Sequence, residues 1–83
     1  MEHYLILARS ITYAQRMQSA LLRAGIRCQI FRAPRELTNL GCAYTVRVLP
    51  ADLTSSKMIL QREGLRPDQI FFYQHGGYRE VSV

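Results

Sequence analysis

One short pattern occurs twice in this chain and sets the order of its secondary structure. Residues 21–27 read Leu-x-Arg-x-Gly-Ile-Arg, and residues 60–66 read Leu-x-Arg-x-Gly-Leu-Arg. In each copy a glycine follows an amphipathic stretch, and the next apolar residue can contact the leucine five positions earlier, as in a Schellman helix end. Each copy then reaches Gln-Ile-Phe, at residues 29–31 and 69–71. The chain therefore reads as two units of helix followed by strand.

The remaining segments extend these units to a β-α-β-β-α-β order. Apolar and polar residues alternate little over residues 3–8, which favours a strand at the centre of a sheet. A first helix follows a cap at Ser10 or Thr12 and ends near Ala24. The later elements predicted are strands over 28–32 and 44–49, a helix opening at Pro50 and ending at Gly64, and a final hairpin with strands over 70–73 and 78–83. We predict one α+β domain over residues 1–83: a ferredoxin-like split β-α-β two-layer sandwich with an extra C-terminal strand.

The apolar positions of the first helix predict which of its faces is buried. They recur with the spacing of a single helical stripe, at Tyr13, Met17, Ala20, Leu21 and Ala24. At 83 residues the chain can bury only about 60 to 65 per cent of its unfolded surface, so the core is thin. We therefore expect function to lie near the exterior.

Cysteine usage and the first residues indicate a cytoplasmic protein. The two cysteines, Cys28 and Cys42, are 14 positions apart and have no metal-ligand spacing, and His3 and His75 are remote from both in sequence. The first residues carry no basic region of a signal peptide, and no apolar run is long enough to span a membrane. No metal and no cofactor is predicted.

Positive charge is concentrated in the first half of the chain. Residues 1–48 hold seven arginines against Glu2 and Glu36, a balance of +5, whereas the charges of residues 49–83 cancel. Ten arginines to a single lysine suit bidentate binding of phosphates, carboxylates and similar oxyanions. Codon usage in a GC-rich genome explains such a composition equally well, so the excess alone does not define a site.

The segment from Pro34 to Tyr44 is where the sequence suggests chemistry. It reads as a loop of about ten residues, longer than an ordinary hairpin connection, and it brings Gly41 and Cys42 to the start of a strand. In a split β-α-β topology this loop shares one end of the sheet with the start of the first helix. Arg9, Ser10 and Arg35 would then favour an anionic sulfur at Cys42. The alternative is that Cys42 packs as a small hydrophobic side chain.

Four blocks of the chain together resemble a known family. The sequence is similar to the selenium/sulfur carrier protein-like family of small bacterial domains of unknown function, through Tyr4–Ser10, Ala24–Arg27, Pro34–Val48 and Pro50–Leu53. The most specific block is Pro34-Arg35-x-Leu37-Thr38-x-x-Gly41-Cys42-Ala43-Tyr44. Ala43 departs from the family pattern, in which a glycine often follows the cysteine, and it would narrow the approach of a partner's sulfur.

The resemblance implies a carrier and not an enzyme. Cys42 would hold sulfur or selenium as a persulfide or selenosulfide for transfer between donor and acceptor proteins. Two other classes remain open. A nucleic-acid-binding module would use the sheet, the tyrosines and phenylalanines and the net charge of +5, although no RNP-like motif is present. An oligomerising or small-ligand regulatory domain would use the edge of strand two or the final hairpin.

Overall fold

A computed structural model describes residues 1–37 and 43–83 of the chain. The strands are β1 (His3–Ala8), β2 (Gln29–Arg32), β3 (Tyr44–Val48), β4 (Gln69–Gln74) and β5 (Gly77–Val81). The helices are α1 (Ile11–Arg23) and α2 (Leu53–Arg62), and short 3₁₀ turns occupy Arg35–Leu37 and Pro50–Asp52. The predicted α+β class and element order are confirmed. Most boundaries differ by one or two residues, and Cys28 and Leu49 lie just outside β2 and β3. The second helix begins three residues after the predicted Pro50, because a 3₁₀ turn precedes it.

All the strand pairs of the described sheet are antiparallel. The strand order is β2-β3-β1-β4-β5. β1 pairs with β3 from Tyr4 opposite Val48 to Ala8 opposite Tyr44, and with β4 on its other side. The prediction that strands one and three are adjacent at the centre of the sheet is therefore confirmed, and the additional C-terminal strand is present as β5, paired with β4.

Both helices pack against the same side of the sheet. Ile6, Val46 and Ile70 are fully buried beneath Met17 and Leu21 of α1 and Leu60 of α2. The predicted stripe of α1 is correct at Met17, Ala20 and Leu21, whereas the buried set also includes Ala14 and leaves Ala24 exposed. Ala24 is exposed because the helix ends at Arg23 and Ala24 is its C-cap.

The opposite side of the sheet, here called the rear face, carries Leu5, Leu7, Thr45, Arg47 and Phe71. These residues alternate along their strands with the residues that face the helices. Leu7 and Phe71 form a second, smaller apolar cluster on this face, together with residues of the connection between β2 and β3. The two sides of the sheet are thus buried by different parts of the chain.

The two repeated sequence patterns end their helices in the same way. The amide of Ile26 donates to the carbonyl of Leu21, and the amide of Leu65 donates to that of Leu60, both at 2.9 Å. Gly25 and Gly64 take the left-handed conformation that this ending requires, with φ of 83° and 71°. The Schellman-type helix ends are confirmed at both positions.

Candidate functional site

The connection between β2 and β3 leaves and re-enters the sheet beside the end of β1. Tyr44 pairs with Arg32 of β2 and with Ala8 of β1, and the amide of Ala33 donates to the carbonyl of Ala43 at 3.0 Å. Within the connection the structure describes Pro34–Leu37 and Ala43. Two of the predicted site residues, Gly41 and Cys42, lie outside the described residues.

The described part of the connection packs on the rear face. Leu37, Ala33 and Ala43 contact the cluster around Leu7 and Phe71. The 3₁₀ turn Arg35–Leu37 is closed by a hydrogen bond from the amide of Leu37 to the carbonyl of Pro34 at 3.0 Å. The proline and the turn give this stretch a defined backbone anchored by an apolar contact, where the sequence predicted only a loop.

Arg9 is held against the first turn of α1. Its guanidinium carbon lies 4.4 Å from the centre of the Tyr13 ring, and that of Arg16 lies 5.9 Å from the same ring. A guanidinium over an aromatic face is attracted by the ring quadrupole. Two arginine side chains therefore contact the Tyr13 ring at the start of the helix.

Tyr13 makes contacts at the start of α1 that the sequence does not predict. The sequence places it in the apolar stripe, and its ring does pack against the core, but its hydroxyl accepts a hydrogen bond from the amide of Arg66 at 2.7 Å. The ring thus joins the start of α1 to the segment after α2. The signal in the sequence was Arg16, which follows Tyr13 by three positions and so lies on the same side of α1. Arg9 precedes the N-cap Ser10, so helical spacing does not predict its contact with the ring.

Ser10 is the N-cap of α1. Its Oγ accepts a hydrogen bond from the amide of Tyr13 at 3.1 Å, so of the two predicted capping residues it is Ser10, and not Thr12, that caps the helix. The hydroxyl accepts in this bond, which leaves its own hydrogen to be donated. Ser10 therefore both stabilises the helix and presents a donor beside Arg9.

The structure brings Arg9 and Ser10 together, and it places Arg35 at the same end of the sheet but in a different layer. Arg9 follows Ala8 at the end of β1 and turns toward α1, whereas Arg35 belongs to the turn that packs on the rear face. Arg35 lies two residues beyond Ala33, which bonds to Ala43. The two arginines therefore flank the end of the sheet from opposite sides.

Cys28 lies at the opposite end of β2 from Arg32 and is a packed thiol. It contacts the core beneath the helices, and its Sγ lies 3.8 Å from the carbonyl oxygen of Gln18. The Gln18 side chain in turn donates to the carbonyl of Cys28 at 3.5 Å. Burial raises the pKa of the Cys28 thiol above its ordinary value, so the thiolate is disfavoured there. This agrees with the prediction that Cys28 packs under a helix.

The described part of the chain contains neither a helix that could span a membrane nor a group of side chains arranged as a metal site. Neither helix there is both long and apolar enough to cross a bilayer. Across residues 1–37 and 43–83, no cluster of three or more His, Cys, Asp or Glu side chains has the arrangement of a metal site.

The fold and the sequence of the connection define a small α+β protein with two helices on one side of an antiparallel sheet and a cysteine-bearing connection between two of its strands. The chain belongs to the family described as "Putative Se/S carrier protein-like", whose model matches residues 3–71. No curated protein and no solved structure matches the chain. The resemblance seen in the sequence is thereby confirmed at the level of the family.

Proposed function

We propose that this protein carries sulfur or selenium on Cys42 and passes it between partner proteins. The observation that supports this function best is the family match, which spans residues 3–71 and so includes the whole connection from Pro34 to Ala43. The contrast with Cys28 adds to it, because that thiol is packed and its pKa is raised by burial. Of the two cysteines in the chain, Cys42 is the one left for the chemistry that the family description names.

The proposed reaction is the exchange of one sulfane sulfur between thiols. The Cys42 thiolate attacks the terminal sulfur of a donor's persulfide, an S–S bond to Cys42 forms, the donor's S–S bond breaks, and the donor leaves as a thiolate. An acceptor thiolate then attacks the terminal sulfur held on Cys42 and restores the Cys42 thiolate. Selenium follows the same steps as a selenosulfide. No net oxidation or reduction occurs, so no cofactor is required.

Such an exchange is fastest when the attacking sulfur is a thiolate near neutral pH. We propose that Arg9, Ser10, Arg35 and Gly41 supply that environment. Three observations support the assignment: Arg9 is held at the start of α1 by Tyr13, the Ser10 hydroxyl is available to donate, and Arg35 lies in a turn at the same end of the sheet. A helix N-terminus adds a further partial positive charge.

The protein would act as a cytoplasmic carrier and not as an enzyme, with donor and acceptor proteins as its partners. We also propose that its sheet is a ferredoxin-like split β-α-β sheet extended by β5. The central position of β1 between β3 and β4, and the two helices on one side, support that interpretation.

Sulfur loading tests the proposed function directly. Three proteins are compared: the wild type, Cys28→Ser and Cys42→Ser. Each is incubated with a persulfidated cysteine-desulfurase-type donor, and its intact mass is measured by mass spectrometry without reductant. We expect the wild type and Cys28→Ser to gain the mass of one sulfur atom, and Cys42→Ser to gain none. Circular dichroism of the variants controls for folding. Loading of a folded Cys42→Ser variant would show that Cys42 is not the carrier.

The proposed environment of the thiolate is tested in the same assay. Arg9→Gln and Arg35→Gln should each slow loading a few-fold at low salt, because each removes one positive charge from the site. Arg62→Gln, in the last turn of α2, is the matched control and should load at the wild-type rate. Equal loading rates in all of these variants would show that Arg9 and Arg35 do not assist the reaction, while Cys42 could still be the carrier.

A further inference from the structure

The rear face contains a hollow that none of the proposed carrier chemistry uses. Its volume is about 190 Å³. The buried side chains of Leu5 and Thr45 line it, together with the rings of His3, Phe31 and Tyr78. Pro34, from the connection between β2 and β3, closes another part of its wall. A cavity of about 150 Å³ is enough to hold benzene, so the hollow can take one planar ring.

Aromatic rings from three strands line this hollow, and Tyr73 of a fourth strand stacks behind them. The His3 ring stacks on Tyr73 with centroids 4.8 Å apart and an interplanar angle of 16°, and the Tyr73 and Tyr78 rings are 5.1 Å apart. Phe31, on β2 across the sheet, is 43% exposed. The sequence showed the aromatic residues mainly in the last strands; the register brings His3 and Phe31 to the same face. The rear face therefore carries aromatic rings on β1, β2, β4 and β5, around the aliphatic and polar side chains of Leu5 and Thr45.

One cation is built into this surface. The guanidinium of Arg47 lies 4.8 Å from the centre of the Phe31 ring and donates to the Gln29 side-chain oxygen. That bond uses one of its five N–H donors. Among the described residues that line the hollow there is no acidic side chain, and Arg47 is the charged one. A ligand that combines a planar ring with a nearby anion would complement this arrangement.

The two other titratable groups of the hollow are held neutral. Burial is the main cause that lowers the pKa of His3, and the nearby Arg47 charge lowers it further. Burial also raises the pKa of Tyr78, with a smaller contribution from the carboxylate of Glu36. At neutral pH both rings therefore offer uncharged stacking faces beside the cationic Arg47.

We propose that the rear face binds single-stranded nucleic acid, with one base stacked in the hollow against Phe31 and the adjoining phosphate on Arg47. A nucleotide carries a planar base and a phosphate at a short fixed spacing, which is the pairing of ring and anion that the surface offers. An unmodified aromatic side chain of a partner protein carries no anion of its own, whereas every nucleotide of a strand does. Gln29, held by Arg47 beside Phe31, adds an amide that can bond to the edge of a base. The net charge of +5 favours association with a polyanion.

The chain offers a matched control for this proposal on the other side of its sheet. The Arg79 guanidinium lies 5.6 Å from the centre of the Phe72 ring, so the pair resembles Arg47 and Phe31. Phe72, however, pairs with Tyr4 on the side of the sheet that faces the helices. Variants of Arg47 and Arg79 remove the same charge and the same kind of ring contact on opposite faces of the sheet; the Arg47 variant also loses the hydrogen bond to Gln29.

Fluorescence anisotropy with labelled single-stranded RNA and DNA of about ten nucleotides tests the proposal. We expect Phe31→Ala to weaken binding at least about tenfold, because stacking on one aromatic side chain contributes roughly that factor. Arg47→Gln should weaken it by about the same factor, because it removes the charged hydrogen bonds proposed to hold the phosphate. Arg79→Gln should bind within about twofold of the wild type at the same salt concentration. Amide NMR shifts on oligonucleotide addition should map to Phe31, Thr45 and Arg47. A mononucleotide should bind far more weakly than the oligonucleotide.

Four results would overturn the proposal. The first is an equal loss of affinity in Arg47→Gln and Arg79→Gln, which would indicate binding of a polyanion by total charge. The second is NMR shifts that map to the helices. The third is a mononucleotide that binds as tightly as the oligonucleotide, which would make the ligand a free nucleotide. If Phe31→Ala does not fold, Arg47→Lys is used as a second variant, because it keeps the charge and loses the planar guanidinium. Unchanged affinity in both Arg47 variants also contradicts the proposal.

Discussion

At the scale of single residues, Cys28 is a packed thiol whose reactivity should be low in the folded protein. It lies against the core with its Sγ near the Gln18 carbonyl, and burial raises its pKa. In Cys42→Ser at neutral pH, we expect iodoacetamide to modify Cys28 at least about tenfold more slowly in the native protein than in urea, because the native thiol is both less ionised and less accessible. Mass spectrometry of timed samples measures both rates. Equal rates in the two conditions would show that Cys28 is accessible and reactive in the folded state.

His3 makes the stability of the fold depend on pH in a defined direction. Burial is the largest cause that lowers its pKa in the folded protein, so as the pH falls below about 6.5 the unfolded chain takes up a proton first. His3 therefore contributes a loss of stability on acidification. Between about pH 7.5 and about pH 5.5, His3→Phe should lose less unfolding free energy than the wild type, while its ring keeps the stacking position on Tyr73. Urea unfolding at the two pH values measures this, and an identical loss in both proteins would contradict it.

At the scale of elements, the two helix ends depend on glycine for conformation and not for space. Gly25 and Gly64 have positive φ, and a methyl group added at either meets nothing within 4 Å. Gly25→Ala and Gly64→Ala should each destabilise the protein by about 1–2 kcal/mol, the cost of a left-handed conformation in an L-residue.

Gly77 at the start of β5 is the control for this prediction. Its φ lies outside the left-handed range, and an added methyl meets only the Gln74 carbonyl oxygen at an ordinary 3.8 Å. Gly77→Ala should change the free energy of unfolding by less than about 0.5 kcal/mol. Equal destabilisation at Gly25 and Gly77, measured by urea unfolding, would show that the helix ends do not require the left-handed conformation.

The elements themselves were predictable from the sequence because their signals are local. The Schellman pattern at Gly25 and Gly64, the cap near Ser10 and the uninterrupted apolar run of β1 each depend on residues a few positions apart. The prediction was wrong at Ala24, which was included in the apolar stripe of α1. The spacing of apolar residues does not show that the helix ends at Arg23.

Much of the surface around the candidate site could not be predicted, because it depends on contacts between residues distant in sequence. Tyr13 bonds to Arg66, which is 53 positions away. His3, Phe31 and Tyr78 line one hollow because the register of separate strands places them on one face. Cys42 and Gly41, which the sequence singled out, lie outside the described residues, so their role stays a prediction.

At the scale of the whole molecule, the sheet separates two kinds of surface. One side is buried by α1 and α2 in a common core, and the other is partly covered by the connection between β2 and β3 and carries the aromatic hollow. The candidate carrier residues Arg9, Ser10 and Arg35 are at the end of the sheet where β1 stops. The proposed carrier and nucleic-acid functions thus use different parts of the same small fold.

Transfer of sulfur out of the protein tests the central claim most directly. Cys28→Ser is loaded, freed of donor, and mixed with a small-molecule thiol acceptor under anaerobic conditions, and intact mass is followed with time. The account predicts that the protein loses one sulfur atom, that the acceptor gains it as a persulfide, and that the recovered protein can be loaded again. Sulfur that stays on the protein in the presence of excess acceptor, or a recovered protein that cannot be loaded again, would contradict the account.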